Sequence, residues 1–391
     1  MLPGILIDVT RLVDRLMQGR LPTGVDRVSL AYIEHYRTQA RAVVRWLGRS
    51  FILSEPGSQA LFDRLLAPGA CCATGMRRSL LWGMLAGGMS LRRGQGCFLF
   101  NTGHSGLEQP GYAALLKSLG VRPLFLVHDL IPLTHPEYCR PLERERHVRR
   151  MNTALDLAAG IITNSEATRE ELMRYAAQGN RVLPPTEVAL LAPGMRSIDP
   201  GERRVVEPYF VMLSTIEPRK NHWLILQIWR RLIERLGPAA PRLVVIGQRG
   251  WECENVVDLL ERCEVLRGFV TEIPDCSDEA LVNYLCHSQA LLFPSFAEGY
   301  GMPLAEALAH GVPVLASNLP VFREIADEIP EYIDPLDGRR WAEVIEAYAP
   351  FDSAMRQAQV ERMRAFRQPK WSDHFERVDA LLAWLKALPA V

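Results

Sequence analysis

Short apolar segments alternate with helical patterns along most of this 391-residue chain, and this alternation limits the fold more than any other feature. The apolar segments end in Gly, Asp, Ser or Pro, and helical stretches such as 167–177 (ATREELMRYAA) follow them. This pattern is typical of a parallel sheet covered by helices on both faces. We predict buried strands at 4–9, 97–100, 123–127, 160–163, 188–191, 209–213, 242–246, 290–293 and 313–315.

The alternation pauses once, at residues 193–208 (PGMRSIDPGERRVVEP), where three prolines and two glycines are typical of a linker. A chain of this length also exceeds what one hydrophobic core usually supports. We therefore predict two doubly wound α/β domains, at 1–200 and 205–370, followed by a C-terminal helix at 371–391 that packs back on the first domain. Ligands bind beyond the carboxyl ends of strands in open α/β sheets, so two facing domains predict a site in the cleft between them.

Composition argues against several functional classes. Equal numbers of basic and acidic side chains, 45 of each, do not favour nucleic-acid binding, which is usually accompanied by a basic excess. The eight cysteines include no CxxC pair and indicate neither a disulfide framework nor a metal site. The apolar segment 79–91 (SLLWGMLAGGMSL) is shorter than the roughly 20 residues that a spanning helix needs. With no signal-peptide pattern at the N-terminus, we expect a cytoplasmic location.

The densest motif is residues 293–311 (FPSFAEGYGMPLAEALAHG). Pro303 suits the first position of a helix and Gly311 its C-terminal cap. Gly299 and Gly301 would let a ligand approach the backbone, and bare N–H groups at the helix start favour a diphosphate. The motif therefore predicts an anion site.

Two carboxylates flank this predicted anion site. Glu298 precedes the loop and Glu306 falls in the first turn of the helix, and both are suited to accept hydrogen bonds from paired hydroxyls. A ligand with phosphates in its middle and polyols at both ends, such as a nucleotide sugar, fits this arrangement. The alternative is that Glu306 only complements the helix dipole and that Glu298 is an ordinary loop residue.

A second motif, 214–221 (STIEPRKN), directly follows the strand predicted at 209–213. Arg219 and Lys220 therefore come at a carboxyl end of the sheet, where ligands bind. Adjacent cations would stabilise the charge that develops on a departing nucleoside diphosphate. The alternative is a solvated basic turn ahead of a helix that begins near Asn221.

Both motifs resemble those of the retaining GT-B glycosyltransferases of family 4, whose fold is two Rossmann-like domains facing each other across a cleft. The family's pair of glutamates, separated by seven residues, is matched by Glu298 and Glu306, and the surrounding frame PS-x-x-EG-x-G-x-P-x-x-EA-x-x-x-G-x-PV is met from 294 to 314. EPRKN at 217–221 is similar to the family's diphosphate-binding element, and GFV at 268–270 is a further match. The Gly-Arg pair that many members carry just upstream is absent.

The resemblance implies how a donor would be held. Glu306 would bind ribose hydroxyls, Glu298 and the backbone of 299–302 the donor sugar, and Arg219 with Lys220 the diphosphate. The implied donor-binding set is Gly24, Arg27, Ser214, Thr215, Arg219, Lys220, Gly268, Val270, Glu298, Gly299, Tyr300, Gly301, Met302 and Glu306.

By the same resemblance, the first domain supplies the acceptor side. Residues 23–27 (TGVDR) resemble the family's glycine loop, in which Gly24 allows close approach and Arg27 either reaches phosphate or caps a helix. His128 and Asp129 end the strand at 123–127, and the resemblance implies that His128 contacts the donor sugar near the reacting carbon. His104 (NTGHSG) follows another strand and, with His128, is a candidate acceptor contact. Without the resemblance, a strand-end histidine is more often structural.

These expectations define a reaction: transfer of a hexose from a GDP- or UDP-linked donor to a glycan or lipid-linked glycan, in bacterial polysaccharide or lipopolysaccharide synthesis. The catalytic candidates are Glu298, His128, Asp129, Arg219 and Lys220. No carboxylate stands out as a nucleophile, so we expect same-face displacement in which the diphosphate oxygen takes the acceptor proton, with Asp129 as the reserve general base. We expect no metal or other cofactor, because Arg, Lys and the helix dipole carry the charge stabilisation.

Several alternatives stay open at this point. A nucleotide-sugar epimerase of GT-B fold would use the same cleft, and so would a non-catalytic protein that binds nucleotide sugars. The arginine pairs at 77–78 and 92–93 bracket the apolar segment 79–91, a pattern that suits either peripheral association with an anionic membrane or a buried helix.

Overall fold

The computed structural model describes residues 4–19, 23–46, 49–67, 94–195 and 198–388. These residues form two compact units. The first unit contains the described residues of Met1–Leu133, Leu142–Leu191 and Trp371–Val391, and the second contains those of Thr134–Pro141 and Ala192–Lys370. None of the helices in these ranges combines the length and the apolar character needed to cross a bilayer. The segment 79–91 and its flanking arginines lie outside the described residues.

The first unit is built on a seven-stranded sheet with the order β3-β2-β1-β4-β5-β6-β7. All neighbouring strands are parallel except β2 and β3. The strands are β1 Ile5–Asp8, β2 Ala40–Trp46, β3 Arg49–Ile52, β4 Phe98–Asn101, β5 Arg122–Val127, β6 Gly160–Thr163 and β7 Thr186–Val188. The helices described in this unit are Thr10–Met17, Gly24–Tyr36, Glu55–Leu66, Tyr112–Leu119, Ile131–Thr134 (at its boundary), Glu143–Leu157, Glu166–Gln178 and Trp371–Ala387.

The second unit is built on a six-stranded parallel sheet with the order β10-β9-β8-β11-β12-β13. Its strands are β8 Tyr209–Leu213, β9 Arg242–Ile246, β10 Val270–Ile273, β11 Leu291–Phe293, β12 Val314–Ser317 and β13 Glu331–Ile333. Its α-helices are His222–Leu236, Glu254–Arg262, Asp278–Cys286, Met302–Ala309, Pro320–Ala326, Gly338–Tyr348 and Ala354–Met363. The short 3-10 helices described in this unit are Pro136–Tyr138, Pro218–Lys220, Gly237–Ala239 and Glu264–Leu266.

Burial explains why the central strands read as short apolar runs. Every residue of β1, β4, β6 and β12 is buried, as expected for parallel strands covered on both faces. In both sheets the strand order reverses in the middle, between β1 and β4 and between β8 and β11. Loops that leave neighbouring strands at such a switch point diverge to opposite faces and open a crevice between them. The fold therefore places one crevice at the carboxyl edge of each sheet.

The structure differs from the sequence expectation at the end of the first sheet. The strand predicted at 188–191 is Thr186–Val188 instead. The carbonyl groups of Ala189 and Leu190 face the Nδ1 atom of His374, each at 3.1 Å, rather than another strand. His374 lies on Trp371–Ala387, a helix that packs against β6 and β7. The strand thus ends early because His374, which is distant in sequence, contacts the carbonyl groups that follow it.

The division of the chain also differs from the expected single domain over 1–200. Thr134–Pro141 groups with the second unit, although the chain on both sides of it belongs to the first. Within the second unit, the Tyr138 ring stacks on that of Phe296, with centroids 5.3 Å apart. Long-range aromatic packing of this kind leaves no periodic trace in the sequence.

Candidate active site

Two polar loops meet at the switch point of the second unit. One follows β8 and the other follows β11, and Val211 pairs with Leu291 in these adjacent strands. The Phe296 N–H group donates to the Arg219 carbonyl at 2.8 Å, and Arg219 Nη1 donates to the Ala297 carbonyl at 3.0 Å. These bonds join the STIEPRKN loop to the loop that carries Glu298, so the two motifs that the sequence singled out form one site.

An ion cluster lies where these loops touch. The Glu298 carboxylate is 2.8 Å from Arg219 Nη1, pairs with the Lys220 ammonium group, and accepts a hydrogen bond from Ser295 Oγ at 2.7 Å. Arg219 also pairs with Glu217 at 2.6 Å. Two cations and two carboxylates are therefore held together, and each cation has an acidic partner that fixes its side chain.

The cluster is largely removed from water, and its pKa shifts follow from that. Burial lowers the pKa of Lys220, and the neighbouring Arg219 cation lowers it further. Burial by itself would raise the pKa of Glu298, but Arg219 and Lys220 outweigh it and bring the value to about 2. Burial raises the pKa of Glu217, partly offset by the same two cations. Glu298 is thus held as a carboxylate at neutral pH.

The geometry limits the number of hydrogen bonds that Glu298 can accept from a sugar. A carboxylate has about four lone-pair positions. Lys220 and Ser295 use both positions on Oε1, and Arg219 uses one on Oε2. At most about one position remains for a sugar hydroxyl, so the main effect of Glu298 in this state is to anchor the two cations.

The helix predicted after the glycine loop is Met302–Ala309, with Gly301 as its N-cap. Pro303 is its second residue rather than its first, and Glu306 is its fifth, which places Glu306 beyond the first turn. The Glu306 side chain is buried, and Oε1 accepts a hydrogen bond from the Gly194 N–H group at 3.2 Å. Complementing the helix dipole from the first turn therefore does not explain its position.

Position 301 requires glycine for two reasons, the space available for a Cβ atom and the backbone conformation. Its φ is +105°, and a Cβ atom added there would lie 2.6 Å from Cε1 of Phe322, whose ring stacks on Phe293. Gly311, just past the end of the helix, has φ +72° but open space around an added Cβ. A substitution at Gly311 therefore introduces backbone strain alone, whereas one at Gly301 introduces backbone strain and a steric conflict with Phe322.

We expect Gly301→Ala to destabilise the protein more than Gly311→Ala. Both changes place alanine at positive φ, which costs about 1–3 kcal/mol, but only the first also displaces Phe322. Thermal unfolding of the two variants measures the difference. Equal losses of melting temperature would contradict a steric role for the Gly301 position.

Other predicted donor residues divide between the two edges of the sheet. Ser214 and Thr215 directly follow β8, and Ser214 Oγ lies 3.5 Å from Nε2 of the buried His222. Gly268 precedes β10 and Val270 is its first residue. Because all strands of this sheet are parallel, Gly268 and Val270 lie at the amino edge, opposite the site loops. We therefore remove these two residues from the candidate donor set.

A cavity of about 180 Å³ opens at the carboxyl edge of the first unit's sheet, beside its own switch point. Residues after β1, β4 and β5 line it together with the helix Glu143–Leu157. Three histidines, two arginines and two carboxylates are among the lining residues: His104, His128, His147, Arg11, Arg150, Asp129 and Glu143.

The three histidines of the cavity are anchored in the same way. The Nε2 atoms of His104, His128 and His147 face the backbone carbonyls of Leu126, Thr102 and Asp129 at 2.8, 2.6 and 3.2 Å. Burial lowers the pKa of each imidazole, and for His104 the neighbouring His128 and His147 lower it further. A neutral imidazole that donates through Nε2 keeps Nδ1 as an acceptor.

Charged residues around the cavity are held by partners. Arg150 pairs with Glu143 at 2.9 Å and with Glu108 at 3.3 Å. Asp129 Oδ1 accepts a hydrogen bond from the Ile131 N–H group at 3.1 Å, which begins the short helix Ile131–Thr134. The carboxylate expected as a reserve base is therefore engaged in backbone capping.

The glycine loop is organised by Asp26 rather than by Arg27. Asp26 accepts hydrogen bonds from the Thr23 N–H and Oγ1 groups at 2.7 and 2.6 Å, and pairs with Arg11 at 2.9 Å and Arg15 at 2.8 Å. Gly24 starts the helix that Asp26 caps. Arg11, not Arg27, lines the cavity. Contact between Arg27 and a phosphate group stays a prediction.

The structure thus gathers the predicted residues into two groups, one in each unit. Arg219, Lys220, Glu298 and the 299–302 loop form one group, and His104, His128 and Asp129 form the other; their meeting across a cleft stays a prediction. Sequence reasoning gave no separate role to Asp26, Glu217 and Ser295, although each lies within one of the motifs, and it did not select Arg11, Glu143, His147 or Arg150 as site residues. Within the described ranges, no group of three or more His, Cys, Asp or Glu side chains is arranged to hold a metal ion.

Two doubly wound units, each with its polar residues at the carboxyl edge of a sheet, are the architecture of the GT-B class of α/β protein, and solved structures match it. A solved structure of Anabaena Alr3699/HepE in complex with UDP and glucose matches this fold with a TM-score of 0.66 over 97% of this chain and 99% of that one, at 13% identity. A sucrose-phosphate synthase from Thermosynechococcus elongatus matches with a TM-score of 0.63 at 14% identity.

Sequence comparison indicates which family and which relatives this chain is similar to. The family described as glycosyl transferases group 1 matches residues 197–332, so that part of the chain carries the region typical of this family. O-antigen chain mannosyltransferase B of Escherichia coli is 30% identical over 226 residues, which cover 55% of this chain and 58% of the relative. Serotype-specific mannosyltransferase WbdA of Escherichia coli is 27% identical over 230 residues, covering 54% of this chain but 28% of the relative. The chain thus spans between about a quarter and three fifths of these relatives.

Proposed function

We propose that this protein is a retaining glycosyltransferase that moves a hexose from a GDP- or UDP-linked donor to a glycan or lipid-linked glycan, in bacterial polysaccharide or lipopolysaccharide synthesis. The observation that carries the proposal is the buried Arg219–Lys220–Glu298 cluster beside the start of the helix Met302–Ala309. The mannosyltransferase relatives support the reaction class, and a mannosyl donor is the first to test.

The donor is proposed to lie over the cluster with its diphosphate against the two cations. Arg219 and Lys220 are already ordered by Glu217 and Glu298, so little side-chain entropy is lost when phosphate binds. Backbone N–H groups at the helix start add donors, and the helix dipole favours negative charge there. Glu306, buried one turn further along, is proposed to accept hydrogen bonds from ribose hydroxyls.

The acceptor is proposed to use the cavity of the first unit. Imidazole nitrogens and carboxylates accept hydrogen bonds, and the guanidinium groups of Arg11 and Arg150 donate them, which matches sugar hydroxyls. A neutral histidine can accept a hydrogen bond from a sugar hydroxyl through Nδ1, whereas a charged histidine has only donors. His128 and His104 are the proposed contacts, as the resemblance implied, and His147 joins them because it lines the same space.

The proposed chemical step is a same-face displacement. The bond from the anomeric carbon to the diphosphate oxygen breaks, the bond to the acceptor oxygen forms on the same face, and the acceptor proton passes to the diphosphate. The protein contributes position and charge stabilisation through Arg219 and Lys220. Asp129 is less suited to serve as the base, because one of its oxygens caps the Ile131 N–H group. No metal is required by this scheme.

A donor screen tests the proposal. Purified protein is incubated with GDP-mannose, UDP-glucose and dTDP-glucose, with and without glycan acceptors, and nucleoside diphosphate and sugar products are measured. We expect nucleoside diphosphate release that depends on one donor and rises with acceptor, and a product whose anomeric configuration matches that of the donor. Isomerised donor would instead indicate an epimerase, and a raised melting temperature without turnover would indicate a binding protein.

Location is proposed from the same chemistry. We propose a cytoplasmic protein that works at the inner face of the membrane when its acceptor is lipid-linked. Fractionation of cells that express the protein, with and without a high-salt wash, tests for peripheral binding.

A further inference from the structure

Thr134–Pro141 forms an aromatic contact with the loop that carries Glu298, and neither sequence motif includes this contact. The Tyr138 ring lies nearly parallel to that of Phe296, with 10° between the planes and 5.3 Å between the centroids. The His135 ring lies parallel to that of Tyr138 as well, at 6.0 Å. Phe296 is two residues before Glu298, so the stack reaches the middle of the site loop.

The segment is also tied to the second unit through its backbone. The Trp251 indole N–H group donates to the Tyr138 carbonyl at 3.2 Å, and the Arg140 guanidinium lies 4.8 Å from the centroid of the Trp251 ring. Trp251 belongs to the loop after β9, and the backbone of this loop is bonded to the loop after β8 between Gly250 and Ile216 at 2.9 Å. Tyr138 is therefore held through its backbone by Trp251 and through its ring by Phe296.

Phe296 connects this stack to the ion cluster. Its N–H group donates to the carbonyl of Arg219 at 2.8 Å, and the next residue, Ala297, accepts from the Arg219 guanidinium at 3.0 Å. Arg219 in turn pairs with Glu298 at 2.8 Å. A shift of the Phe296 ring would therefore move the backbone that sets the distance between Arg219 and Glu298.

We infer that Tyr138 is a positioning residue for the donor site: by stacking on Phe296, it holds the 294–298 loop at the separation from Arg219 that diphosphate binding requires. This inference rests on the proposed function. Tyr138 touches none of the proposed reacting atoms and acts only through Phe296. The segment that follows His128 and Asp129 in sequence thus shapes the proposed donor site of the second unit.

The test compares Tyr138→Ala with Tyr138→Phe, which keeps the ring and removes only the hydroxyl. In the alanine variant we expect the donor KM to rise roughly tenfold, the upper end of what one aromatic pair supplies, with a smaller change in kcat. The phenylalanine variant is expected to stay within about twofold of the parent protein. In a Phe296→Leu background, the alanine change should add little further, because its partner ring is already gone.

A second measurement keeps this test separate from the proposed function. Amide hydrogen exchange at Phe296 reports the loop directly, and we expect faster exchange in Tyr138→Ala but not in Tyr138→Phe. If the parent protein turns over no donor, the proposed function fails while the exchange result still decides the role of Tyr138. Unchanged exchange in the alanine variant would overturn the inference, as would a parental KM or fully additive effects with Phe296→Leu.

Discussion

Lys220→Ala is expected to lower kcat/KM for the donor by roughly 100- to 1,000-fold, the loss typical when one preorganised group is removed from a developing charge. Lys220 is 7% exposed and pairs with Glu298 in the cluster at the switch point. Its ammonium group is proposed to hold the diphosphate as the bond to the sugar breaks. Donor titrations with the variant, followed by nucleoside diphosphate release, measure the effect.

Stability must be separated from catalysis in this variant. Removing one partner of a buried ion pair leaves the other charge poorly compensated, at a cost of about 3–5 kcal/mol. The double variant Lys220→Met with Glu298→Gln neutralises both partners with side chains of similar size. The double variant is expected to recover stability but not activity, because Glu298 also anchors Arg219 in the proposed donor site. Lys370→Ala, at an exposed lysine of the same unit, controls for the loss of a cation.

Glu306→Ala is expected to lower kcat/KM by roughly 100-fold or more, mainly through a higher donor KM. Hydrogen bonds to a charged acceptor contribute about 1.5–3 kcal/mol each, and the proposal gives Glu306 two ribose hydroxyls. Glu306→Gln should lose less, because one amide oxygen can still accept. Steady-state kinetics and the affinity for free GDP and UDP measure both variants.

The control for Glu306 is Glu328→Gln, which changes an exposed carboxylate in the same unit. Glu306 also accepts a hydrogen bond from the Gly194 N–H group, so the melting temperature of each variant must be recorded alongside its rate. We expect Glu306→Ala to remain folded. Near-native rates in both Glu306→Ala and Lys220→Ala would refute the assignment of the donor site.

Much of the fold could be predicted from the chain because parallel strands are covered on both faces. Tyr209–Leu213, Arg242–Ile246 and Gly160–Thr163 have the bounds that the apolar runs predicted. Strands with a less uniformly apolar sequence were harder to predict. Ala40–Trp46 carries two arginines and was not predicted, and Thr186–Val188 was displaced because His374 occupies the carbonyls that follow it.

The donor site followed from sequence to the extent that its residues lie in two short motifs after neighbouring strands. Arg219, Lys220 and Glu298 belong to those motifs, and the loops meet because β8 and β11 are adjacent. Gly268 and Val270 lie at the amino edge of the sheet, away from the site loops, and the sequence could not show this because a motif match does not say at which end of a strand a residue falls. Ser295 and Glu217 were missed because only the folded loop brings them against Glu298 and Arg219.

What the sequence determined by itself is the class of element and the chemistry of the loops, because strand periodicity, glycine placement and charge are local properties. Tertiary structure alone decided which groups face one another. The Arg11–Asp26 pair, the three-histidine cavity and the Tyr138–Phe296 stack join residues from 15 to more than 150 positions apart. Such contacts depend on how strands are ordered in a sheet and how helices cover it, and no local pattern encodes that order.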